Sequence, residues 1–337
     1  MMEKDMQKKL ITLAALLATS GAMAQSSVTL YGVADAGVGK ERGSKVGMKA
    51  NSAVNTSDSY LGLRGVEDLG GGLKAGFNFE QGINLKDGST DDRSSFREVK
   101  TMFQRAANVW LGGNWGTFQM GRAHTPSYNA MSTWDLMGKG NNSIAHAAFG
   151  AVGGNSGLRN SSQFSYKTPN FGGFSAEVGY ILKADNNDTS KIDLGLTYVN
   201  GPLSAGLAYN KTNRLKANYA LGGKYSFGMF EAAAAYYNSN NWRWLDNNNQ
   251  LIPSANGRVA GFTLGGRANF GAASIAVDLA RDTKAEYQRN GVTVKDKKYT
   301  YAVVEGRYSF SKRTFTYASY LRYEGGNYYG IGLRHNF

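Results

Sequence analysis

The stretch Tyr329–Phe337, read as YGIGLRHNF, decides the fold class. Tyr329, Ile331, Leu333 and the terminal Phe337 alternate with glycine or polar residues. Successive side chains of a β-strand point to opposite faces, so this period of two predicts a strand with one apolar face. An ordinary edge strand that happens to come last is the alternative reading.

The same alternation recurs through most of the chain. Pairs or triplets of apolar residues at every second position include Leu61 with Leu63, Phe77 with Phe79, Phe164 with Tyr166, Ile192 with Leu194 and Leu196, Ile275 with Val277, and Phe315 with Tyr317. Half-apolar strands of this kind suit a sheet with lipid on one side and water on the other. The chain therefore reads as one all-β domain.

The links between these strands alternate between short and long. Short links fall at residues 70–72, 114–116, 170–173, 200–202, 228–229, 271–272 and 311–313, and long polar links include 183–191, 243–257 and 283–298. Such alternation is typical of an up-and-down barrel with short periplasmic turns and long outer loops. Seven short turns, with both chain ends on the periplasmic side, predict a sixteen-stranded antiparallel transmembrane β-barrel. Lipid offers no hydrogen bonds, so the barrel must close, and this strand number leaves a water-filled lumen.

The first residues have the pattern of a secretory signal. Lys4, Lys8 and Lys9 precede a short apolar run at 10–18, and Ala22-Met23-Ala24 matches a cleavage site. We expect residues 1–24 to be a cleaved signal peptide and residues 25–337 to form the barrel domain; an uncleaved anchor is the alternative. Phe337 at the end of an apolar strand resembles the sorting signal that the outer-membrane assembly machinery reads. Together the two ends predict the outer membrane.

Composition narrows the function classes. The chain has 44 glycines, 4 prolines, 20 tyrosines, 16 phenylalanines and no cysteine, with a mean hydropathy of −0.40. The net charge of +13 would suit nucleic acid, but export and the lack of a basic helix argue against that partner. Basic residues facing a pore or a lipopolysaccharide surface fit better. Three histidines without cysteine, and no G-x-S-x-G motif, predict no metal site, no cofactor and no enzyme.

Several segments together resemble a known family. They are residues 27–32 (SVTLYG), 61–75 (LGLRGVEDLGGGLKA), 116–122 (GTFQMGR), 166–174 (YKTPNFGGF) and 332–337 (GLRHNF). The chain resembles the general, non-specific porins of Gram-negative outer membranes, in the β-proteobacterial branch that includes anion-selective porins. The resemblance implies a homotrimer of sixteen-stranded barrels. It also implies a third outer loop, here about residues 123–158, that folds inward, where Thr125-Pro126 looks like a helix start.

The resemblance implies pore-wall arginines at the narrowest point, the eyelet. Arg105 and Arg159 occupy positions at which the family has pore-wall arginines. Arg64 lies on the non-apolar face of its strand. Arg159 has the same parity as Gln163 and Ser165, which also places it on the non-apolar face. Tyr60 stands where relatives carry a further arginine. Carboxylates such as Glu80 and Glu177 are candidate partners that would neutralise these charges.

Charges of the inward loop complete the candidate eyelet. Its one acid is Asp135, against Lys139 and two histidines, His124 and His146. Asp135 is either a pore charge or a side chain that ties the loop to the wall, and the second is favoured. Because charges at the narrowest part set selectivity, the eyelet is predicted to be net positive.

The sequence thus predicts a general diffusion porin with weak anion preference, passing small hydrophilic solutes. A channel specific for an organic anion or phosphate is the first alternative. A plugged-barrel adhesin or receptor is the second.

Overall fold

The computed structural model describes residues 27–90, 102–150, 158–242, 257–289 and 292–337. The expected signal peptide, residues 1–24, and residues 243–256 of one predicted outer link lie outside the described residues.

The described chain is built almost wholly of antiparallel strands. They are β1 (Ser27–Lys40), β2 (Gly47–Ala50), β3 (Tyr60–Gly70), β4 (Leu73–Gly82), β5 (Ala106–Gly113), β6 (Gly116–His124), β7 (Arg159–Lys167), β8 (Phe174–Ile181), β9 (Lys191–Asn200), β10 (Leu203–Thr212), β11 (Asn218–Phe227), β12 (Phe230–Trp242), β13 (Gly257–Phe270), β14 (Ala273–Arg289), β15 (Val292–Lys295), β16 (Thr300–Ser309), β17 (Thr314–Tyr323) and β18 (Gly326–Asn336).

The barrel closes between the first and last strands. Val33–Lys40 of β1 pairs with β18, and Ser27–Val33 pairs with β3. The amide of Phe337 donates to the carbonyl of Gly32 at 3.1 Å, and the reverse bond has the same length. Apart from β2 and β15, which are short strands within outer links, the described strands form a closed sixteen-stranded wall. The predicted fold class is confirmed.

The two faces of the wall differ as the alternation predicted. Ile331 and Leu333 of β18 are 61% and 52% exposed on the outside, where lipid would cover them. Polar side chains such as Asp35 and Ser319 are buried on the inside. Among the described residues, no helix is long and apolar enough to cross a membrane.

The links between strands confirm most of the sequence predictions. All seven short links join consecutive wall strands, and Gly70, Gly172 and Gly228 adopt positive φ there. The prediction of a loop at 283–298 is wrong in part, because β14 continues to Arg289 and pairs with β15. Val292 and Val294 of β15 are β-branched, and such residues favour strands, so the sheet continues beyond the wall here.

The third outer link, between β6 and β7, turns into the barrel. It contains the helix α1 (Pro126–Met131) and a π-helical turn at His146–Gly150. A 3₁₀ turn at Lys183–Asp185 lies in the next outer link. The described part of this link, residues 125–150 and 158, is called the inward loop below; residues 151–157 of the predicted loop lie outside the described residues.

Candidate pore constriction

The inward loop begins with the helix start that the sequence indicated. Thr125 is the N-cap of α1, and its hydroxyl accepts a bond from the amide of Tyr128 at 3.2 Å. Pro126 occupies the first helical turn, where its missing N–H costs nothing. The helix is only six residues long, so its position depends on contacts with the barrel wall.

One buried carboxylate of the wall binds the start of α1. Asp193 of β9 accepts from the amide of Ser127 at 2.6 Å and from its hydroxyl at 3.1 Å. Both residues are almost fully buried. Bonds from a carboxylate to a helix N-terminus combine charge with orphan amide donors, so this tether is stronger than a neutral bond. It fixes α1 against β9.

Glycines on the lumen face let the loop lie against the wall. A Cβ at Gly195 of β9 would come 2.3 Å from the carbonyl oxygen of Pro126, and one at Gly222 of β11 would come 2.5 Å from the Trp134 ring. Gly206 and Gly265 are similarly close to Thr133 and Leu136. Any larger residue would meet backbone or an indole, so these positions require glycine for close approach.

Two wall arginines hold the second part of the loop. Arg267 of β13 donates to the carbonyl oxygen of Leu136, and Arg307 of β16 donates to that of Met137 at 3.2 Å. Further along, the Asn142 amide donates to Glu305, which also pairs with Arg307. The strands from β9 to β16 that make these contacts are called the loop-contacting wall.

Asp135 organises the loop internally. Its carboxylate is buried and accepts from the amide of Met137 at 3.0 Å, from the amide of Lys139, and from the hydroxyl of Ser143 at 2.9 Å. These hydrogen bonds remain within the loop, so the favoured reading of Asp135 as a tie to the wall is corrected. The physical reason is that the wall supplies its own carboxylate, Asp193, for that tie.

Aromatic and imidazole rings pack beside Asp135. The Tyr128 ring lies between His124 and His146, with centroids 4.6 Å from each. Burial lowers the pKa of His146 to about 4, although Asp135, with Oδ2 3.8 Å from Nε2, opposes that shift. Burial also raises the pKa of the Tyr128 phenol to about 12. These loop rings are therefore uncharged at neutral pH.

Arg105 lies on the opposite side of the lumen with two carboxylates. Its guanidinium nitrogens are 3.3 Å from Asp58 Oδ2 and 3.6 Å from Glu80 Oε2. Its Cζ lies 4.3 Å from the centroid of the Tyr60 ring. Tyr60 thus supports Arg105 by a cation–π contact in the place where the resemblance implied a second arginine.

Arg64 and Tyr31 extend this side. Arg64 Cζ is 5.1 Å from the Tyr31 ring, and the Tyr31 hydroxyl donates to Glu80 at 2.9 Å. Glu80 is therefore a neutralising neighbour, as expected. The expectation for Glu177 is wrong, because its bonds go to Asn129 of α1 and its charged neighbours are Lys167 and Lys139.

Arg159 does not follow the parity of its strand, although it reaches the same cluster. The β6–β7 register shifts between Gly121 and Ala123, and Ser162 has φ +50, so the alternation of β7 is interrupted between Arg159 and Gln163. Arg159 nevertheless lies within electrostatic range of Arg105, Glu80 and Asp58. β1 and β3–β5, together with Arg105 immediately before β5, are called the open wall; the strands carry Tyr31, Tyr60, Arg64 and Glu80.

Lys139 lies between α1 and the wall. Its Nζ is 4.8 Å from the Tyr128 ring centroid and 3.3 Å from Asn129 Oδ1. Burial lowers the Lys139 pKa. With Lys167 and Glu177 it lines a cleft of about 320 Å³ beside α1. A second cleft, of about 240 Å³, separates Asn129 from Arg105 and Glu80.

The residues that hold the loop were not predicted from the sequence. Asp193, Arg267 and Arg307 share the lumen parity of their strands, and that parity was the signal that could have found them. Their contacts with the loop join positions more than sixty residues apart. Such pairings become visible only when the loop's path is known.

A closed barrel narrowed by an inward loop and lined by charged groups is the architecture of a passive channel. The chain matches the family model described as Gram-negative porin over residues 12–328. It therefore belongs to the Gram-negative porin family, and it is a diffusion channel of the outer membrane rather than an enzyme.

Similar proteins agree with this membership. Outer membrane porin protein 32 of Delftia acidovorans is 39% identical over 246 residues, covering 66% of this chain and 67% of that protein. An outer membrane porin protein of Bordetella pertussis is 28% identical over 98% of this chain and 100% of its own length. The solved structure of an anion-selective porin from Comamonas acidovorans has a TM-score of 0.70 and 28% identity, covering 93% of this chain and 100% of that one.

Proposed function

We propose that this porin has a weak anion preference set at its eyelet. Arg105, Arg159 and Arg64 would supply positive charge on the wall, with Tyr60 supporting Arg105 and Lys139 contributing from the loop. Asp135 would add little negative charge to the pore, because it is buried among donors of the loop. The anion-selective porin from Comamonas acidovorans, which is similar to this chain, favours the same sign.

The observation that carries the proposal is the imbalance of charge around Arg105. Arg105 pairs with Asp58 and Glu80, Arg159 lies within electrostatic range of both carboxylates, and Arg64 lies near the Tyr31 ring, whose hydroxyl binds Glu80. Charges at a constriction act through a low-dielectric wall, so a small surplus biases permeation. Two nearby carboxylates offset part of that surplus, which is why the preference is expected to be weak.

The test is the reversal potential of the purified protein in a planar bilayer under a KCl gradient. We expect chloride to permeate faster than potassium, and we expect Arg105→Ala and Arg159→Ala each to reduce the chloride preference. Arg313→Ala, in an exposed periplasmic turn, is the matched control and should leave the potential unchanged. A potassium preference in the unmodified protein would contradict the proposed sign while leaving the channel assignment intact.

The same bilayer separates the alternatives. A channel specific for an organic anion or phosphate would show a steep, saturable block by that solute. A plugged adhesin or receptor would show no ohmic conductance.

We propose further that the chain forms a homotrimer and that lipopolysaccharide covers part of its basic outer surface. The family resemblance and the net charge of +13 support these partners. Native mass measurement in mild detergent should give three chains per particle, and a single chain would refute the trimer.

Phe337 is proposed as the signal for the assembly machinery, and Phe337→Ala should reduce the folded, heat-modifiable fraction in the outer membrane. Equal amounts of folded protein would argue against that role.

A further inference from the structure

Four tyrosines form a continuous track at the outer end of the last three wall strands. The ring centroids of Tyr299 and Tyr301 are 6.1 Å apart, those of Tyr301 and Tyr323 are 5.3 Å apart, and those of Tyr323 and Tyr328 are 6.5 Å apart. Tyr299 precedes β16, and the others lie on β16, β17 and β18. These four residues are called the tyrosine track.

The track faces the lumen above the inward loop. Tyr301 shares its face of β16 with Val303 and Glu305, and Glu305 binds Asn142 of the loop. On the neighbouring strands the alternate positions, Tyr320 and Tyr329, are 42% and 45% exposed on the lipid side. The track therefore borders the outer vestibule, through which a solute passes before it reaches the eyelet.

One carboxylate fixes the base of the track. Asp282 accepts from the hydroxyl of Tyr237 at 2.6 Å, from the hydroxyl of Tyr301 at 3.2 Å and from the amide of Tyr299 at 3.0 Å. Tyr301 is consequently buried and positioned. The rings of Tyr299, Tyr323 and Tyr328 are half-buried, so part of each remains accessible.

The accessible rings also carry unused polar groups. Within the described part of the chain, the hydroxyls of Tyr299, Tyr323 and Tyr328 donate no hydrogen bond to another side chain or to the backbone. Charges around them are mixed: Lys297 Nζ lies 5.2 Å from the Tyr299 centroid, whereas the Glu324 carboxylate lies within electrostatic range of Tyr299, Tyr323 and Tyr328. A mixed rim with free hydroxyls favours a neutral polar ligand over an ion.

We propose that the tyrosine track is a weak binding subsite for pyranose sugars in the outer vestibule. The face of an aromatic ring is electron-rich, and it attracts the slightly positive C–H groups on one face of a sugar ring. The free tyrosine hydroxyls can exchange hydrogen bonds with the hydroxyl groups at the sugar's edge. The subsite acts before the eyelet and does not depend on the anion preference proposed above.

The test titrates maltotriose against the purified, full-length barrel in a planar bilayer. A binding subsite predicts that conductance falls along a saturating curve with added current noise, whereas glycerol at matched viscosity lowers it linearly. Tyr328→Ala and Tyr299→Ala should each raise the half-saturating maltotriose concentration roughly threefold to tenfold, the range expected for losing one aromatic contact. Tyr328→Phe should retain most of the affinity, because the ring face remains.

Tyr329→Ala is the matched control, since it removes a tyrosine from the lipid face of the same strand. It should leave the titration unchanged, and the conductance of each variant reports that the barrel has folded. Three results would overturn the proposal: a linear maltotriose effect equal to that of glycerol, unchanged affinity in both alanine variants, or saturable block by benzoate without block by maltotriose.

Discussion

The two sides of the lumen use arginine in different ways. On the loop-contacting wall, Arg267 and Arg307 donate to carbonyl oxygens of the inward loop. On the open wall, Arg105 rests on the Tyr60 ring and pairs with Asp58 and Glu80. The guanidinium groups of Arg267 and Arg307 hold the inward loop against the wall. That of Arg105 instead lies beside the cleft between the open wall and α1.

This difference shows that a charged residue on the lumen face is not by itself a selectivity residue. Side-chain parity identifies which residues face inward, but the loop decides which of them remain accessible to a passing ion. The loop-contacting wall combines glycines with a few strong polar contacts, and the open wall combines large side chains with mixed charges. Substitutions on the two sides should therefore separate fold stability from ion preference.

The largest effect is expected from filling the surface that receives the loop. A leucine at Gly222 would overlap the Trp134 ring, since even a Cβ would lie 2.5 Å from it. Overpacking a buried contact costs about 1–3 kcal/mol. We expect Gly222→Leu to lower the unfolding free energy by about that amount and to change single-channel conductance as the loop shifts.

The matched control for Gly222→Leu is Gly306→Leu. Gly306 lies on β16 with the parity of the exposed Val304 and Tyr308, and a Cβ there would meet nothing within 4 Å. That variant should keep the conductance and unfolding free energy of the unmodified protein. Equal effects of the two substitutions would mean that the loop does not depend on close approach at Gly222.

An effect of up to similar size is expected from removing one arginine from each wall. Arg267→Ala removes a charged donor and leaves the carbonyl of Leu136 without this partner, which should cost about 1–3 kcal/mol of unfolding free energy. Arg105→Ala should cost less stability, because its carboxylate partners remain partly accessible to water. In reversal-potential measurements the order should reverse, with Arg105→Ala changing selectivity more. The same order in both measurements would remove the distinction between the two walls.

The fold could be predicted from the sequence more completely than the site. The barrel followed from local signals, namely alternation along strands such as Tyr329–Phe337 and glycine-containing turns such as 70–72. The sequence also pointed to Glu80, with Glu177, as a candidate partner of the wall arginines, and Glu80 does pair with Arg105. The positions of Asp193, Arg267 and Asp135 could not be predicted, because they depend on where a long loop lies across distant strands. Parity alone could not fix the orientation of Arg159 either, because the irregularity at Ser162 interrupts the alternation between Arg159 and Gln163.

The smallest effect concerns pH and tests the loop-contacting side alone. Burial holds the pKa of His146 at about 4, below the ordinary value of 6.5, so the folded protein resists protonation that the unfolded chain accepts. The resulting stability is complete above pH 6.5 and declines as the pH falls toward 4. Between pH 7 and 5.5 this difference amounts to about 1 kcal/mol of unfolding free energy.

Denaturant unfolding at the two pH values should show that much extra loss of unfolding free energy in the unmodified protein relative to His146→Gln. The exposed His335 provides the control, because His335→Gln should retain the full pH dependence. Identical pH dependence in all three proteins would show that the His146 side chain is not held neutral by the packing of the inward loop.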